Sequence, residues 1–158
     1  MDHSLKTAIS FGLTSAVITT LGLMVGLNAG THSKLVVIGG ILSIAIADAF
    51  SDALGIHLSE ESEDKHTDKE IWQSTLYTFI FKFIFAMTFM LPVLFLELSH
   101  AIIVCIVWGL FLLATLSFSL AREQKANPWK AVSEHLAIAL LVIAITNTVG
   151  SWIFATFS

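Results

Sequence analysis

The sequence predicts an all-α integral membrane protein: five transmembrane helices in a single domain spanning residues 1–158. Three observations predict it. The composition is 56% hydrophobic and only 13% charged, with a mean hydropathy of +0.84, whereas soluble domains carry about 25% charged residues. Five stretches, 8–29, 35–57, 72–96, 101–121 and 130–155, reach the roughly 20 mainly apolar residues that a span needs. The breaks between them collect the residues that end helices and the charges that lipid excludes.

The first span follows MDHSLKTAISFGL, which holds one lysine before the apolar run. The run is long and lacks a small-residue cleavage site, so a retained helix is expected rather than a signal peptide. Gly12, Ser15, Thr19, Gly22, Gly26 and Gly30 recur at spacings of 3, 4, 3, 4 and 4, and so share one stripe of small residues. Such a stripe lets a second membrane helix come close. It serves either ordinary packing or a symmetric seam between two copies, with Gly12, Gly22 and Gly26 at the dimer interface.

The second span, KLVVIGGILSIAIADAFSDALGIH, contains Asp48 and Asp52. Four residues apart on a helix, both carboxylates leave from one face. Carboxylates at membrane depth are costly and ordinarily serve function. The acidic linker 58–70 follows, then a third span holding Lys82 and Pro92. Glu97, Ser99 and His100 make the next turn. Residues 122–127 make the last, where Asn127-Pro128 is a helix start with proline at its first position.

Positive charge orients the chain. With the N-terminus inside, the inner segments hold Lys6, Lys65, Lys69, Arg122, Lys125 and Lys130, and the outer side holds only Lys34. An N-inside, C-outside topology is therefore expected. Trp72 and Trp129 then fall at the inner interface and Trp152 near the outer one. Counting inward at about 1.5 Å per residue, Ser15 and Thr19 lie roughly 10 and 16 Å deep. By the same rise Asp52 and Asp48 lie roughly 9 and 15 Å deep, and Lys82 roughly 15 Å. Hydroxyls, carboxylates and one ammonium share a layer.

Asp48 and Asp52 are the candidate metal ligands, because carboxylate oxygens suit hard divalent cations. The competing reading is an internal ion pair between Asp48 and Lys82. Lys82 is either a counter-ion that releases a carboxylate to an arriving cation or a side chain that snorkels to the surface. Ser15, Thr19, Lys82, His57 and Glu134 are candidates for a pathway or for coupling. Glu60, Glu61, Glu63 and Asp64 form either a cation-gathering antenna or a solvated acidic turn. Met24, Met87 and Met90 offer sulfur, though gap-filling in the core is their common use. Asn147 is expected to bond between helices.

Other classes are excluded or disfavoured. Lone Cys105 rules out an internal disulfide and a multi-cysteine metal site. The net charge of −4 speaks against nucleic acid as a partner. No HExxH, P-loop or GxSxG motif is present, so no enzyme is expected. Two aspartates on one helix do not suit an intramembrane aspartyl protease, whose pair comes from facing helices.

FGLTSAVITTLGLMVGL (11–27) resembles the first-helix signature of the vacuolar iron transporter family. SDALGIHLSEESE (51–63) resembles the end of that family's second helix, and Pro92 and NPWKAVSEHLAIALLVIAITNTVGSWI agree with its later spans. The resemblance implies a homodimer that exports ferrous iron or manganese from the cytosol against protons, between the two first helices. It departs at the ligands. The family's first-helix aspartate falls on Ser15, its second-helix methionine on Asp52, and its glutamate after the glycine on Ile56. The cytosolic metal-binding insertion of many members is absent, leaving residues 58–70.

The expectation is thus a multi-pass membrane protein, in a cell membrane if prokaryotic and an organelle membrane if eukaryotic. Its partners are the bilayer, a second copy of itself and divalent metal ions. Fe2+ or Mn2+ is carried as substrate, and no cofactor is permanently bound. The rivals are a non-transporting scaffold whose polar layer fixes helix packing, and a transporter of another solute.

Overall fold

A computed structural model describes residues 3–63 and 65–157. They form six helices: α1 (His3–Thr31), α2 (Lys34–Ser62), α3 (Asp68–Thr88), α4 (Met90–Phe95), α5 (Leu98–Glu123) and α6 (Pro128–Phe157). With α3 and α4 taken together as one crossing, five segments are long and apolar enough to span a membrane. α1, α2, α5 and α6 extend past their predicted spans at both ends, and the third crossing does so at its start, because the turns are short and backbone hydrogen bonding continues into the polar flanks.

Local chemistry sets the boundaries. The Ser33 hydroxyl caps α2 by accepting from the Val36 amide. Thr67 and Glu70 close a reciprocal capping box at the start of α3. Asn127 Oδ1 accepts from the amides of Trp129 and Lys130 at 3.1 and 3.3 Å, as its place before Pro128 predicts. α1 and α5 each end near a residue in the left-handed region, His32 and Lys125.

The third crossing is not one continuous helix. It breaks between Thr88 and Met90. Pro92 has no amide hydrogen and its ring crowds the carbonyl four residues back, that of Thr88. The Thr88 hydroxyl turns to the Phe85 carbonyl, 2.6 Å away, and accepts from Trp108 Nε1 at 3.0 Å.

α1 is the central helix. Of its most apolar stretch 56% is buried, against 11% for α6. α1 packs against α2, α3, α5 and α6. The main core gathers Val17, Leu21 and Met24 of α1 with Ile41 of α2, Phe89, Met90 and Val93 around the break, and Cys105 and Leu113 of α5. The other helices turn large apolar side chains outward, among them Phe50, Leu76, Phe111 and Ile153. That is the pattern of helices meant for lipid rather than water. The chain's N-terminus, the acidic linker and the α5–α6 turn share one end of the bundle, called here the linker end.

The small-residue stripe of α1 meets helices of its own chain. A Cβ on Gly22 would lie 3.0 Å from Val142 of α6, and one on Gly26 3.4 Å from the Thr146 carbonyl. At Gly12 it would meet the backbone of Lys82 and Thr78 in α3 at 3.4 Å. Gly22 and Gly26 also line an open groove between α1, α2 and α6, with Leu23, Ile44 and Val149.

Candidate functional site

The polar layer expected from the sequence assembles around Lys82. This residue is 1% exposed, because α3 points it inward, two turns beyond Ser74 and one beyond Thr78. Its ammonium donates to Ser15 Oγ of α1 at 2.8 Å and to Asp52 Oδ2 of α2. Asp48 Oδ2 lies 2.6 Å away, an ion pair without hydrogen-bond geometry. Lys82 neither snorkels nor pairs with Asp48 alone: one ammonium serves both carboxylates. Two helical facts produce this. Asp48 and Asp52 share a face of α2, and a lysine stem is long enough to reach between them.

With all three groups ionised the cluster carries two negative charges and one positive, a formal excess of one negative charge. Inside a low-dielectric bundle such an excess favours uptake of a cation. Asp48 and Asp52 offer four carboxylate oxygens, and Ser15 a fifth oxygen. Their side chains remain partly open, 24% for Asp48 and 17% for Asp52. Among the described residues no group of three or more His, Cys, Asp or Glu is placed to hold a metal ion. A cation here would therefore use the two aspartates with hydroxyl or water oxygens, and would contend with the Lys82 ammonium.

The other candidates are scattered. Thr19 bonds the carbonyl of Ser15 and holds the first helix locally. His57 turns to α3, where its Nδ1 lies 2.9 Å from Thr75 Oγ1 and its ring meets Trp72 edge-on. It flanks a groove lined by Phe50, Leu54, Trp72 and Phe79, separate from the Lys82 cluster. Glu134 is exposed and lies 3.9 Å from Lys130 on its own helix. Neither residue joins the aspartates.

The acidic linker divides. Glu61 and Glu63 are exposed, and Glu63 lies 3.6 Å from Lys65. Asp64 lies outside the described residues. Glu60 does not belong with them: it is 6% exposed and neither carboxylate oxygen has a hydrogen-bond partner. The reason is that α2 continues to Ser62, so Glu60 stays in phase with buried Ala53, two turns earlier, and faces the bundle.

Three buried hydroxyls escaped the sequence reading. Ser74, Thr78 and Thr20 are each 0% exposed and unpartnered. The signal for two of them was present: Ser74, Thr78 and Lys82 recur every four residues. His135, buried in no pocket, bonds Ser117 of α5 at 2.7 Å.

Set against known proteins, the chain matches no family model and no curated protein.

Proposed function

We propose that this chain is a multi-pass membrane transporter that moves a divalent cation, iron or manganese, out of the cytosol. The observation that carries the proposal is the buried Lys82 ammonium between Asp48 and Asp52. Such a site holds its carboxylates ready in the absence of cargo. An arriving cation replaces the ammonium as their counter-charge, and a proton or the returning ammonium restores the empty site. The linker end is the cytosolic end by its lysines and arginines.

The resemblance to the vacuolar iron transporter family supports the same reading, with Asp48 and Asp52 on α2 taking the part of ligands that the family draws from elsewhere. A homodimer belongs to this proposal. Its seam is the open groove that Gly22 and Gly26 line together with Ile44 and Val149.

One observation favours a second reading, in which the polar layer only fixes helix packing: the Lys82 ammonium already has three partners within the chain. Flux of Mn2+ and Fe2+ into liposomes separates the two. Asp48→Asn and Asp52→Asn keep the side-chain volume and remove one charge each. In a transporter either change lowers flux at least tenfold, while the purified protein stays folded. Wild-type rates in both variants would leave the scaffold reading standing.

A further inference from the structure

Hydroxyls in apolar helices commonly donate to a carbonyl one turn back. This chain follows the habit at Thr19, Thr31, Thr75, Thr115, Ser119 and Thr148. Ser74 and Thr78 do not, although both are fully buried. Glu60 is the companion anomaly. It is a nine-tenths buried carboxylate without a donor, near the C-terminal end of α2, where the helix dipole opposes negative charge. Buried polar groups left without partners call for a water or an ion.

These orphans lie along one seam. α2 and α3 run antiparallel, with their register pinned by the His57–Thr75 contact at 2.9 Å and the Lys82–Asp48 pair at 2.6 Å. That register sets Glu60 at the level of Ile71, about one turn nearer the linker end than Ser74. From Ser74, Thr78 and then Lys82 follow at steps of four residues, about 6 Å each along the helix. On α2 the buried stripe runs Ala49, Ala53, Glu60, with Asp48, Asp52 and Ile56 half-buried along its margin. Ile56 and Ala53 leave an apolar gap between Glu60 and Asp52, and by the register Ser74 and Thr78 of α3 stand level with that gap. The line therefore leads from the linker end to the charged cluster with oxygen at each step.

We propose that Glu60, Ser74 and Thr78 form the route by which a small divalent cation reaches Asp52 and Asp48. Glu60 takes the cation at the linker end, and the two hydroxyls supply oxygens across the apolar gap at Ile56. The inference deepens the proposed function and rests on it, because the cargo is the same cation.

The test is cysteine accessibility in the full-length protein with Cys105→Ser as background. Ser74→Cys, Thr78→Cys and, as a dry control, Ala86→Cys are labelled with methanethiosulfonate ethylammonium, with and without Mn2+. Ala86 is 2% exposed and lies one turn past Lys82 on the same face of α3. A route predicts that the thiols at 74 and 78 react at least tenfold faster than the thiol at 86, and that Mn2+ slows them. Glu60→Gln then raises the Mn2+ concentration giving half protection about tenfold. Equal rates at all three positions overturn the route, as does protection indifferent to Glu60→Gln. The two proposals fail separately. Mn2+ flux by the wild type with silent thiols removes the route alone. Reactive, Mn2+-protected thiols in a protein without flux remove transport and leave the route.

Discussion

The two ends of the α2–α3 seam are made of the same helices and held together by different physics. Toward the linker end the seam buries Glu60, Ser74, Thr78 and Lys82, with Asp52 and Asp48 against the ammonium. Toward the opposite end it buries Val37 and Ile41 of α2 and Met90 and Val93 of α4, with Met24 of α1 beside them. There the glycines of α1 also bring α6 within backbone contact, Gly30 against Gly150 and Gly26 against Thr146. One end depends on charge balance around a buried ammonium. The other depends on close apolar packing, which has no alternative partner to exchange with.

The comparison breaks most sharply at Lys82. Asp48→Asn alone leaves the Lys82–Asp52 pair intact, so its effect on stability is expected to be small. Asp48→Asn with Asp52→Asn strands the ammonium and should destabilise the protein by about 3–5 kcal/mol, the usual effect of breaking a buried ion pair from one side. Adding Lys82→Met should restore most of that. Denaturation in detergent checks all three, and a double variant as stable as the wild type would mean the charges do not hold this end together.

Charge placed in the apolar end should fail for want of a counter-ion. Ile41→Asp, at a position 0% exposed, has Val37, Met90 and Val93 in its cluster rather than a lysine. A loss of about 3 kcal/mol is expected. The same denaturation assay decides. A mild effect would show that this end admits water.

The glycine contacts sharpen the picture further. A Cβ on Gly150 would fall onto the carbonyl oxygen of Gly26 and within 3.0 Å of the Cβ of Ala29. Because the obstacle is backbone, α6 must move away from α1. Gly150→Ala should cost about 1–3 kcal/mol, seen as a lower unfolding midpoint. Gly39, by contrast, has nothing within 4 Å of the place a Cβ would take. Gly39→Ala should be neutral or stabilise by up to about 1 kcal/mol through helix propensity. If the two glycines respond alike, close approach is not what holds α1 to α6.

Much of this was legible in the chain. The apolar runs announce the spans, since lipid admits no unsatisfied backbone and so demands long helices. The inner layer of Ser15, Asp48, Asp52 and Lys82 follows from counting residues along rigid helices. Asn127 before Pro128 marks a cap on local chemistry alone. Pro92 signals a disturbance in the third crossing, though the break falls three residues earlier, where its ring meets the preceding turn. The acidic linker misled, because charge density suggests solvent, while Glu60 is decided by the helix phase carried past the membrane edge. The glycine stripe correctly indicates a close neighbour and says nothing of whether that neighbour is α6 or another copy.

The sequence by itself determined the five crossings and the residues that share each face, because hydrogen bonding within a helix is local and its period is fixed at 3.6 residues. Which faces meet was decided only by the tertiary structure. Lys82 serves two carboxylates rather than one, Gly22 meets α6, and His57 turns to Thr75 instead of the aspartates. These outcomes depend on how α2, α3, α5 and α6 pack around α1. No period within one helix encodes the rotation of its neighbours.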